Sequence, residues 1–183
     1  MTLRTAFETS NTYLSTLHEE FSALQVTLRE DKPDDTAVAD ILGDKVDDLL
    51  CWLEQALAAA REGQRAVDQG PDLNRAWQAL TSCQETFIHL QYKFFDLISY
   101  DSLESLMRAD DEAGAAWTVW VRSVKEGLDR CQQPLYNISQ ALAQCWQEVA
   151  DRVGMTSVSI RTSNIGQKIK VSRDWDMATE RLP

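Results

Sequence analysis

The sequence predicts an all-α protein: an antiparallel up-down-up-down four-helix bundle with a long kinked last helix and a short C-terminal β-hairpin or extended tail. Three observations carry this expectation. Apolar residues recur at alternating spacings of four and three through four stretches. Helix-breaking residues separate these stretches at short connections. Only seven glycines and four prolines occur in 183 residues, which leaves room for long uninterrupted helices.

The first stretch carries Leu3, Phe7, Ser10, Leu14, Leu17, Phe21, Leu24 and Leu28, a single seam with one polar member, Ser10. Pro33 then disfavours helical backbone at Lys32, and the aspartates around it, with Thr36, can cap the next helix. The second stretch repeats the spacing at Leu42, Val46, Leu49, Leu53, Ala56, Ala60, Gly63 and Val67, with Val38 and Ile41 widening its start. Its small residues at the far end imply a close helix approach there. Gly70 and Pro71 stop this helix, and the Asp72 side chain can accept the first free amides of the third.

The third stretch is the most aromatic, with Leu73, Trp77, Leu80, Gln84, Phe87, Gln91, Phe94 and Ile98 in register and Cys83, Leu90 and Leu97 alongside. Residues Asp101 to Arg108 read as a short separate helix carrying Leu103, Leu106 and Met107. The last stretch begins in the acidic cluster Asp110, Asp111 and Glu112, which suits the positive end of a helix dipole. Its seam runs from Trp117 through Val121, Val124, Leu128, Cys131, Leu135, Ile138, Leu142 and Cys145 to Val149. Because that register passes through Pro134, one kinked helix of about forty residues is expected, ~60 Å long.

Residues 1–154 therefore form the bundle domain, and 155–183 a basic extended or hairpin tail. From Met155 the helical period gives way to alternation, with Val158 and Ile160, then Ile169 and Val171 after a turn near Gly166. Between Thr156 and Arg173 stand Arg161, Lys168, Lys170 and Arg173 and no acid. Removing these four positive charges from a net charge of −11 leaves about −15 for the rest of the chain. A two-stranded hairpin alone is marginal in water, so such a tail must lean on its own acidic bundle or add strands to a partner's sheet. In the second case Trp175 and Met177 are its apolar anchors.

Charge excludes some functions. A strongly acidic surface is repelled by phosphate backbones and anionic membranes, so the bundle is not expected to bind nucleic acid directly or to associate with a membrane. No basic-then-apolar leader and no apolar run of bilayer length occur, which points to the cytoplasm. Cys51, Cys83, Cys131 and Cys145 are dispersed and read as buried reduced thiols, neither a metal knuckle nor a redox pair.

Catalytic signatures are missing as well: no Gly-rich phosphate loop, Gly-x-Ser-x-Gly elbow, His-Glu-x-x-His or Cys-x-x-Cys is present. A di-iron bundle needs Glu-x-x-His pairs, and neither His18 nor His89 follows a glutamate at that spacing. The nearest thing to a site is Glu85, His89, Tyr92 and Asp96, which offsets of four, three and four align on one helix face. Glu85, His89 and Asp96 are thus weak metal candidates, better explained as a surface strip of ion pairs and hydrogen bonds. His18, beside Glu19 and Glu20, reads as surface.

No catalytic residue and no cofactor are expected. Trp52, Trp120 and Trp146 fall beside the seams; each either widens the core or, facing solvent, anchors a partner. The leading expectation is a non-enzymatic interaction protein: an adaptor, an immunity or chaperone-like factor, or an accessory subunit of a larger assembly. It would bind a protein partner through Trp120, Trp146, Ile160, Ile169, Val171, Trp175 and Met177. Two alternatives are a metal- or ligand-binding bundle and an acidic nucleic-acid mimic that inhibits a nucleic-acid-binding protein. Self-association is compatible with the heptad faces and the strand-forming tail.

Overall fold

The computed structural model describes residues 2–30, 32, 37–70, 72–98 and 115–153. Four helices account for them: α1 Leu3–Arg29, α2 Ala37–Asp68, α3 Leu73–Ile98 and α4 Ala115–Val153. At about 1.5 Å per residue they measure ~40, ~48, ~39 and ~58 Å. The fourth is the longest and runs through Pro134 as one helix. The expected short helix at 101–108, the acidic start at 110–112, the caps between 33 and 36, and the whole tail lie outside the described residues.

Local chemistry sets the helix ends. Thr2 sits in extended backbone with its hydroxyl accepting the Thr5 amide, so it caps α1. Asp72 Oδ1 accepts the Arg75 amide at 3.0 Å and caps α3 in the same way. Gly70 has φ +136°, a conformation a side chain would strain, and it reverses the chain two residues beyond α2.

Cross-helix pairs fix every direction. Arg4 meets Asp68, Asn11 meets Gln64 and Arg29 meets Asp44, so α1 and α2 are antiparallel. Glu62 pairs with Arg75 while Trp52 stacks on His89, which makes α3 antiparallel to α2. Arg130 reaches Glu20, and Trp120 reaches Thr27, so α4 runs against α1. Trp146 bonds Gln84, and Gln91 bonds Ser139, closing the square. The packing is broad at α1–α2, α2–α3 and α1–α4, and much sparser at α3–α4. This is the up-down-up-down bundle.

The seams meet at the centre. All eight seam residues of α1 are buried, Ser10 among them. Its hydroxyl donates to the Ala6 carbonyl at 3.0 Å, so a polar group enters the core already satisfied. Leu42, Val46, Leu49 and Leu53 of α2, Leu80, Phe87 and Phe94 of α3, and Leu128, Leu135 and Ile138 of α4 complete the interior. Gly63 lies under the Phe7 ring and Gly127 under Leu24, and both allow the close approach that side chains would block. One expectation fails: Ile41 does not widen the core but faces solvent at 53% exposure, because the α2 stripe at that level is narrow.

Among the described residues no helix is long and apolar enough to cross a membrane.

Candidate functional site

The tryptophans divide between core and seam. Trp146 is fully buried on α4; its indole Nε1 donates to Gln84 Oε1 at 3.1 Å, and its ring stands edge-on to Trp77. Trp120 is 3% exposed and donates from Nε1 to the Thr27 carbonyl at 2.9 Å. Both polar handles are used internally, so neither ring is available to a partner on the described bundle. The docking role expected for Trp120 and Trp146 is therefore corrected: they widen the core stripe, because each indole N–H finds an acceptor on a neighbouring helix. Trp117 stacks obliquely on Trp120 with centroids 5.1 Å apart, at the end where α4 begins. Trp52 is half-buried and lies nearly parallel to the His89 imidazole, with centroids 5.1 Å apart.

The strip Glu85, His89, Tyr92 and Asp96 is on the outer surface of α3, and all four residues are exposed. His89 spends one ring face on Trp52. No group of three or more His, Cys, Asp or Glu side chains is placed to hold a metal ion among the described residues. His18 is part-exposed on α1, with Nε2 3.8 Å from Glu54 Oε1 and Ser22 Oγ 3.5 Å from Nδ1. Beside it an open groove between α1 and α2 is lined by Ser15, Glu19, Glu54, Leu57, Ala58 and Arg61. Charges of both signs are mixed there with no convergent polar set.

Three of the four cysteines follow expectation and one does not. Cys83, Cys131 and Cys145 are buried, and Cys51 is exposed on α2, where it accepts a weak bond from Gln55. Desolvation pushes each buried thiol up to about 12. Proximity of Cys145 adds to the effect at Cys83, and Glu20 does so at Cys131. At Cys145 the Ser10 contact works against it. Such thiols are poor nucleophiles and poor metal ligands.

Electrostatics on the outside is organised by helix pair. Arg29 reaches both Asp44 and Asp47, whose hydrogen bonds raise its pKa above the ordinary value. Arg4–Asp68, Arg29–Asp44 and His18–Glu54 form rungs along α1–α2. Each is solvent-exposed and contributes little to stability, but together they favour one register. Two hydrogen bonds that join α3 to α4 are between neutral groups: Trp146 to Gln84 and Gln91 to Ser139. The sequence did not reveal these two bonds, although the glutamines in the seam of the third stretch were their signal. The tail residues Ile160, Arg161, Lys168, Ile169, Lys170, Val171, Arg173, Trp175 and Met177 lie outside the described residues.

Comparison with known proteins finds no matching family model, no matching curated protein and no matching solved structure.

Proposed function

We propose that this chain is a non-enzymatic interaction protein, an adaptor or accessory subunit, whose bundle is a stable scaffold and whose segment after Gly154 engages a protein partner. The observation that supports it is a change of character at the end of α4. Up to Val149 the described helices bury their apolar seams against one another, and the N–H groups of Trp120 and Trp146 are used internally. From Met155 the sequence loses its helical period and reverses its charge, with four cations and no acid between Thr156 and Arg173. A cationic, alternating segment attached to an acidic bundle suits the edge of a partner's sheet flanked by carboxylates. Trp175 and Met177 would supply the apolar anchors. Four unpaired cysteines in the bundle accord with work in a reducing compartment such as the cytoplasm.

The test is affinity capture from the native host with the full chain and with a chain ending at Gly154, followed by mass spectrometry. The reading expects a partner recovered with the full chain and lost with the shortened one, while far-ultraviolet circular dichroism shows the same helicity. Equal recovery by both chains would remove the tail from the mechanism.

A further inference from the structure

We infer that, with no partner bound, the cationic stretch from Thr156 to Arg173 lies on its own bundle, along the open groove between α1 and α2, and so withholds the tail from other proteins. The contact needs no partner to exist; its regulatory meaning rests on the role proposed for the tail.

Charge is unevenly spread over the bundle. The spans of α1 and α2 together hold ten acidic and five basic residues, a net −5. Those of α3 and α4 hold six of each and are balanced. The acid excess of the four helices therefore belongs to one half of the square. The stretch from Thr156 to Arg173, with four cations and no acid, is drawn to that half.

The groove supplies a seat there. It holds about 480 Å³, with Glu19 on its α1 bank, Glu54 on its α2 bank and the apolar Leu57 and Ala58 beside them. Glu19 is exposed and has no ion-pair partner among the described residues. Carboxylates on facing banks suit the heads of arginine and lysine, and the apolar floor suits their stems and Ile160.

The chain is long enough to arrive. Arg130 with Glu20 and Trp120 with Thr27 place the end of α4 beside the start of α1. From there Ser15 and Glu19 lie ~18–24 Å along α1, and the groove is about one helix spacing, ~10 Å, to the side. At ~3.3 Å per residue the chain from Val153 spans ~26 Å to Arg161 and ~50 Å to Lys168. Arg161 therefore reaches the groove when extended, and the later cations reach it with slack. A short tether sets an effective concentration in the millimolar range, so even a weak contact is filled.

Trypsin tests this, because it cleaves after Arg161, Lys168, Lys170 and Arg173, and its rate there reports whether the segment is covered. The full chain and a synthetic peptide of residues 155–174 are digested in parallel and the fragments quantified by mass spectrometry. At low salt these bonds should be cut about three- to tenfold more slowly in the chain than in the peptide, and about 0.5 M sodium chloride should remove most of the difference. Glu19→Gln combined with Glu54→Gln leaves Arg61 as the charge of the groove and should restore cleavage at the peptide's rate, with helicity unchanged. Glu126→Gln combined with Asp129→Asn, the same change of charge on exposed positions of α4, should leave the protection in place. Equal rates in chain and peptide at low salt overturn the inference. So does protection that survives the groove substitutions, that both pairs abolish alike, or that is lost on dilution from about 50 to 1 µM, which would mark a contact between copies. No partner enters this experiment, so a tail that is protected here but captures nothing from the host would sink the proposed function and leave the contact standing.

Discussion

The ring of Trp146 stands edge-on to that of Trp77, with centroids 4.6 Å apart and planes at 86°. One indole comes from α4 and the other from α3, so this pair fastens the two neighbouring helices that otherwise touch least. The indole N–H of Trp146 points on to Gln84, a seam position where an apolar residue would have left that donor unpaired. A glutamine in a hydrophobic register is thereby explained by its partner.

Trp146→Phe should destabilise the protein by about 1.5–3 kcal/mol, through lost ring volume and a stranded Gln84 carbonyl. Trp52→Phe should change stability by less than about 1 kcal/mol, since Trp52 is only half-buried. Urea unfolding followed by circular dichroism at constant slope measures both. Equal losses at the two sites would mean that the α3–α4 junction is not fastened here.

Two glycines should respond in opposite directions. A Cβ at Gly63 would lie 2.6 Å from Phe7 Cζ, and Phe7 is fully buried with nowhere to retreat. Overpacking of about 1–3 kcal/mol outweighs the ~1 kcal/mol that alanine gains in helix propensity, so Gly63→Ala lowers the melting temperature. At Gly43 the nearest atom is Arg29 Cζ at 3.4 Å, the end of a flexible side chain. Gly43→Ala therefore keeps most of the propensity gain and raises it. Thermal melts of the two variants decide the matter by sign.

The bundle was legible because its signal is redundant. Leu14, Leu42, Phe87 and Ile138 each repeat at helical spacing with many fellows, and burial follows from the stripe rather than from any one residue. What was not legible depends on which side of a stripe a residue leans. Trp120, Cys51 and Ile41 all stand beside a seam; the first is buried and the other two are exposed. Only the positions of the neighbouring helices settle that. The pairing of Gln84 with Trp146 and of Gln91 with Ser139 is of the same kind, since it belongs to two helices at once and to no single periodicity.

The thiols separate by burial. In the folded protein at pH 8 a disulfide reagent should modify Cys51 quickly, and Cys83, Cys131 and Cys145 only at the rate of unfolding. Their pKa values, raised from 9.0 to about 12, also set a pH dependence. The folded state holds these protons more tightly, so their contribution to stability is intact below pH 9 and is lost as pH rises from 9 to about 12. Each thiol then removes about 1.4 kcal/mol per pH unit at most. Replacing Cys131 with alanine should flatten the alkaline limb of a stability-versus-pH curve, and an unchanged slope would refute the assignment.

Pro134 sits inside α4, half-buried, in a helix that continues on both sides of it. Proline has no amide hydrogen, so the Arg130 carbonyl one turn earlier loses its intrahelical donor, and the ring crowds that carbonyl. Interior proline costs up to ~3 kcal/mol relative to alanine, partly offset because proline also stiffens the unfolded chain by about 0.4–1 kcal/mol. Pro134→Ala should therefore stabilise the protein by roughly 1–2 kcal/mol, seen as a higher urea midpoint. It should also restore the hydrogen bond from the residue 134 amide to the Arg130 carbonyl and so steady α4 beside Leu135 and Tyr136, which line the α3–α4 cleft. Slower hydrogen exchange at the amides of residues 135–139 would register the change. A Pro134→Ala protein that is less stable than its parent would mean that the proline is needed to seat α4 along both α1 and α3.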